Sequence, residues 1–169
     1  MFRCVQTGRK EKRRRSACAY THCTKKQVLP LSKQEAWEFF SDPSKLSSIT
    51  PGDMKFDMRS PMSRAMHPGM IIHYDLKPLP AFPVQWVTEI THVIEEQLFV
   101  DEQRFGPFRF WHHQHHFNDH PLGVEIEDII HYVLPFGPLG TLAHRMLVEK
   151  RLEEIFEFRK QQLSQAFRS

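Results

Sequence analysis

No stretch of this chain approaches the roughly 18 consecutive apolar residues that a membrane-crossing helix needs. The basic N-terminus is not followed by an apolar run, which argues against a secretory leader. Cysteine is scarce: Cys4, Cys18 and Cys23 are odd in number and confined to the first segment. They have neither the paired spacing of a zinc site nor the even count of a disulfide framework, so a reducing, cytoplasmic setting is expected. A nucleotide fingerprint, a nucleophile elbow and a cysteine nucleophile in the body are all missing. Gly137-Pro-Leu-Gly140 lacks the Lys-Ser/Thr of a phosphate loop and loses a donor amide at Pro138, so it reads as a turn. What remains, 169 residues at 40% hydrophobic content, fits one soluble domain with a sizeable core.

Acidic residues are nearly absent from the first 27 positions, where Glu11 stands alone against nine Lys and Arg, a net of +8. The body from residue 28 onward carries −5. A nucleic-acid domain needs a basic face on its folded body. The run Arg9 to Arg15 is therefore read as part of a basic, disordered extension over residues 1–18, and residues 19–169 as the folded domain. No nucleic-acid partner is expected for that domain.

Alternation carries the main signal. In Arg109 to Phe117, a strand places Trp111, His113, His115 and Phe117 on one face and Phe110, His112, Gln114 and His116 on the other. Its neighbours behave alike, with Phe99, Asp101, Gln103 and Phe105 sharing a face, and Val124, Ile126, Asp128, Ile130 and Tyr132 another. Each apolar face thus includes polar groups. A sealed core avoids this, since an unpartnered buried polar group costs about 1 to 3 kcal/mol, whereas a pocket wall does not.

Punctuation supplies the rest. A first strand runs from about Tyr20 to Leu29 and stops at Pro30. Ser32 and Glu35 form a capping box for a helix burying Ala36, Trp37 and Phe40. Asp42-Pro43 opens a second short helix with Leu46 and Ile49 on its apolar face. Strands follow around 54–59, 69–76, 84–94, 98–105, 108–118 and 124–134. Helical periodicity then takes over in two stripes, Leu139, Leu142, Ala143 and Met146, then Leu152, Ile155, Phe156, Leu163 and Phe167. The stripes are out of phase, which predicts a break near Val148 to Arg151. The layout is α+β, with helices on one side of a curved antiparallel sheet and room for a ligand between them.

The ordered series Leu29-Pro-Leu-Ser, Phe39-Phe-Ser-Asp-Pro, Gly69 with Ile72 and Tyr74, Trp86, Phe99 with Asp101 and Gln103, Gly106-Pro-Phe, Trp111 with His113, His115 and Phe117, Asp128 with Tyr132, Gly137-Pro-Leu-Gly, and Ile155-Phe with Arg159 resembles the ligand-binding SRPBCC proteins of the START and Bet v 1-like superfamily. The likeness runs from about Gln27 to Phe167. It implies the helix-grip fold: a curved seven-stranded antiparallel sheet around a long C-terminal helix, with two short helices after strand 1. It also implies a cavity for a hydrophobic or amphipathic small molecule, with no cofactor. No catalytic residue set comes with it. His112, His116 and Val124 depart from the pattern.

On that basis the expected cavity wall is Tyr74, Trp86, Asp101, Gln103, Trp111, His113, His115, Phe117, Asp128 and Tyr132. Three readings of the histidine strand compete. His113 and His115 could bind a metal with Asp128 or Asp101 as third ligand, but no fourth ligand is evident, and none is assigned. A His beside an Asp could act as acid and base on a polyketide-like substrate, as in the cyclases, aromatases and dehydrases of the superfamily. The preferred reading is a polar layer in which these groups satisfy one another and binding occurs without catalysis. A lipid or quinone carrier, like the coenzyme-Q-binding relatives, is a further alternative.

Overall fold

In the computed structural model the described residues are 3–7 (backbone only), 20–60, 65–79, 82–135 and 147–167. The expected turn at Gly137 to Gly140 and the stripe Leu139 to Met146 lie outside them. Eight strands form one antiparallel sheet: β1 (Arg3–Thr7), β2 (Tyr20–Leu29), β3 (Asp57–Met58), β4 (Ile71–Leu79), β5 (Phe82–Ile94), β6 (Leu98–Phe105), β7 (Phe110–His120) and β8 (Gly123–Val133). The helices are α1 (Lys33–Phe40) and α2 (Glu149–Ala166), with 3-10 turns at Pro43–Ile49 and Gly52–Met54. Strands β2 to β8 are the seven that the resemblance implies. β1 adds an eighth on the outer edge of β2 and falls within the segment assigned to the extension. Cys23, whose register partner is Cys4, is disulfide-bonded, where the count and spacing of the cysteines predict no disulfide framework.

The sheet order is β1-β2-β8-β7-β6-β5-β4-β3. After β2 the chain crosses through α1 and the 3-10 turns to the far edge, then returns by successive hairpins until β8 pairs with β2 from Tyr20↔Val133 to Leu29↔Val124. The capping box starts α1 as its sequence requires, with Ser32 Oγ accepting from Glu35 N–H and the Glu35 carboxylate accepting from Ser32 N–H. Asp42 caps the first 3-10 turn through Ser44 N–H. Leu147 and Val148 are in π-helical conformation and lead directly into α2.

α2 packs onto the sheet through Leu152, Phe156 and Leu163. The first two meet Trp111, Ile130 and Tyr132, while Leu163 joins Leu29, Trp37, Phe99 and Phe117 under α1. Buried Lys25 on β2 pairs with Glu157 at 2.7 Å and fixes the outer side of the helix.

Three expectations need correction. The segment 54–59 is not a full strand: Lys55 takes a left-handed conformation (φ 47°), and only Asp57–Met58 pair with β4. Phe105 does not share the inner face of β6, because Arg104 bulges between the pairs Val87↔Phe105 and Thr88↔Gln103 and reverses the alternation. Phe105 is 62% exposed. Phe40 is only half-buried, packing edge-on against Phe117.

Candidate functional site

Two cross-strand pairs build the centre of the inner face. Asp101 on β6 stands opposite His113 on β7, and His115 opposite Asp128 on β8. Because the period is two, all four point inward, and the bonds run diagonally as well as straight across. His113 Nε2 lies 3.0 Å from Asp128 Oδ1, and His115 Nε2 lies 3.0 Å from Asp101 Oδ2. His113 Nδ1 is 3.5 Å from Asp101 Oδ2. His115 Nδ1 is 2.9 Å from Asp128 Oδ1 but off the hydrogen-bonding direction, an electrostatic contact only. Every imidazole nitrogen therefore faces a carboxylate. His115 is sandwiched further by Phe99, whose ring stacks on it at 4.1 Å.

Burial and charge set the protonation of the cluster. Burial opposes the charged form of His115, but its contacts with Asp101 and Asp128 outweigh that and raise its pKa above the ordinary value. In His113, burial and the neighbouring His115 prevail over the carboxylates and lower it. Burial pushes both carboxyls up, yet hydrogen bonds from the imidazoles hold Asp101 and Asp128 below the usual range. The favoured state is a cationic His115, a neutral His113 and two carboxylates. Asp101, His113 and His115 have ligand atoms within 4.8 Å of one another, the set that a metal would use. Binding there would require His115 to surrender a proton held by two carboxylates and both rings to leave their bonds.

The cluster forms part of the wall of a cavity of about 330 Å³ between sheet and α2. Of the ten expected wall residues, Tyr74, Trp86, Asp101, Trp111, His113 and His115 line it. Asp128 sits behind the imidazoles. Gln103 instead brackets the β6–β7 turn, donating to Phe108 O at 2.7 Å and accepting from Phe108 N–H at 3.2 Å. Phe117 belongs to the core with Trp37. Tyr132 is fully buried against Trp111.

Thr88 was not among the expected residues. Its buried Oγ1 accepts from Tyr74 OH at 2.9 Å and from Trp86 Nε1 at 3.0 Å, satisfying the polar ends of two wall aromatics. Nothing in the sequence marked it, because Thr is ordinary in a strand. Arg159 belongs to the series that carries the resemblance but was not among the expected wall residues, although its spacing is legible: it lies four residues after Ile155 and three after Phe156, a cation on an apolar stripe. Four acidic residues of the sheet are ion-paired, Glu89 and Glu102 with Arg104, and Glu125 and Glu127 with Lys26.

No family model and no curated protein matches the chain. Solved structures do. The major latex-like protein 151 of Panax ginseng is 11% identical, with 89% of this chain and 99% of that one covered at a TM-score of 0.64. Protein CV1439 of Chromobacterium violaceum is 9% identical over 86% and 96% of the two chains, with a TM-score of 0.66. Protein Ms6760 of Mycobacterium smegmatis is 15% identical over 87% and 92%, with a TM-score of 0.62. The fold is therefore the Bet v 1-like helix-grip fold. Among the described residues no helix is long and apolar enough to cross a membrane.

Proposed function

We propose that this protein binds a hydrophobic or amphipathic small molecule in the cavity between sheet and α2, without transforming it. One observation carries the reading: the cavity is largely apolar, and each polar nitrogen in its histidine wall is already turned to a carboxylate. A general base needs a lone pair within reach of substrate. Here the nitrogen of the neutral His113 that keeps its lone pair, Nδ1, is turned toward the Asp101 carboxylate at 3.5 Å. The volume sits near the lower end of the roughly 300 to 1,000 Å³ typical of small-molecule sites. That favours a compact or single-chain molecule over a long isoprenoid tail held wholly inside, and so weighs against quinone carriage.

Native mass spectrometry of the purified protein, with extraction of any bound molecule, tests the proposal. A co-purifying apolar molecule recovered unchanged after incubation is the expected outcome. Recovery of nothing, together with no quenching of Trp86 and Trp111 fluorescence by apolar probes, would overturn it. A cyclase- or dehydrase-like enzyme is the second reading, favoured by the neutral His113 beside a cationic His115. Conversion of the recovered molecule that disappears in His113→Ala would establish it.

A further inference from the structure

Two arginines of α2 line the cavity, and only one is engaged. Arg151 donates from Nε to Pro78 O at 2.8 Å and pairs with Asp53 at 2.7 Å and Glu154 at 3.1 Å. Arg159, about two turns onward, makes no ion pair or hydrogen bond among the described residues. Its Nε is buried without a partner, and its guanidinium lies 5.2 Å from the centroid of the Phe156 ring.

The polar groups of the wall are committed elsewhere. Asp101, which feels the Arg159 charge, is bonded to His115, and Thr88 is used by Tyr74 and Trp86. Arginine cannot shed its charge to meet burial, as a lysine or histidine does. A planar fork of donors left open beside Ile155 and Phe156 matches an anion that accepts two parallel bonds. A second negative charge would find the Asp101 and Asp128 carboxylates near it, while the lining cation Lys45 is exposed on the first 3-10 turn. The charge pattern suits a monoanion.

Building on the reading that the cavity holds a small molecule, we propose that its ligand is an amphipathic monocarboxylic acid whose carboxylate is received by the Arg159 guanidinium. The apolar body then lies toward Ile72, Trp86, Ile90, Leu152 and Ile155.

Two matched pairs of probes test this by calorimetry: dodecanoate against dodecanol, and 1-naphthaleneacetate against 2-(1-naphthyl)ethanol. At least one acid is expected to bind the wild-type protein about tenfold or more tightly than its alcohol, the scale of a charge-assisted pair. Arg159→Met should bring that ratio to about one, and Arg159→Lys should keep part of it, since a point charge replaces the fork. Arg159→Met is also expected to raise the melting temperature of the ligand-free protein, because it removes a charge without a partner. A lower melting temperature would show that the side chain serves the fold and would overturn the assignment. So would equal affinities for acid and alcohol, or a preference that survives Arg159→Met and falls in Lys45→Met. In each of those cases the cavity reading stands. If neither member of either pair binds, the cavity reading and this inference fall together.

Discussion

The rings of His113 and His115 lie 3.8 Å apart, centroid to centroid, and two like charges at that distance inside a protein repel strongly. One proton is therefore shared out unequally, and the carboxylates place it on His115.

Opposing limbs of pH dependence follow. The folded pKa of His115 lies above its ordinary value of about 6.5, so its stabilisation is complete below that pH and is lost as pH rises through the folded value. Asp101 and Asp128 lie below about 3.9, so their contribution is present above that pH and is lost as pH falls through the folded values. His113, lowered, destabilises on acidification below about pH 6.5, where the unfolded chain takes up a proton that the native state resists. Melting temperature is expected to be highest near neutrality and to decline on both sides. In His115→Gln the alkaline decline should shrink; an unaltered alkaline limb would refute the assignment of the proton.

Asp128 is the member of the cluster whose loss should cost most. It is buried, accepts from His113 at 3.0 Å and contacts His115 at 2.9 Å. Asp128→Asn leaves a cationic imidazole facing one carboxylate instead of two, and breaking a buried pair in this way costs about 3 to 5 kcal/mol. His112→Ala on the opposite face removes partly exposed contacts with Glu102 and Gln114 and should change stability by less than about 1 kcal/mol. Urea denaturation of both variants checks the contrast, and similar losses would mean that the two faces of β7 are not distinct environments.

Much of this arrangement is legible in the sequence because period two and period 3.6 are local properties. The alternation of β7 and β8 alone sends His113, His115 and Asp128 inward, and Ser32 with Glu35 fixes the start of α1. Bulges are less visible. Arg104 interrupts β6 two residues before Gly106-Pro107, which read as the turn after β6 and not as a bulge within it, so Phe105 turns outward and Gln103 is diverted to the Phe108 backbone. The diagonal bonds from His113 to Asp128 and from His115 to Asp101 depend on register, which no single strand encodes. Arg159 belongs to a different class: its place on the apolar stripe is readable, but its lack of a partner is a property of three dimensions.

The last prediction concerns how α2 is held. Leu163 is 1% exposed and packs with Leu29, Trp37, Phe99 and Phe117, where α1, the sheet and α2 converge. Ile155, two turns earlier, is half-buried and lines the cavity. Truncation at the first position opens a void among large, mutually supporting side chains, so Leu163→Ala should cost about 2 to 5 kcal/mol. Truncation at the second enlarges a space that already exists, and Ile155→Ala should fall at or below the low end of that range. The same ranking should not hold for binding of an apolar probe, which Ile155→Ala is expected to weaken or reshape more than Leu163→Ala does at temperatures where both variants are folded. Denaturation and probe binding measured on the two proteins therefore separate the wall of the cavity from the anchor of the helix. Equal stability losses with equal effects on binding would show that α2 packs at Leu163 no more tightly than it does over the cavity.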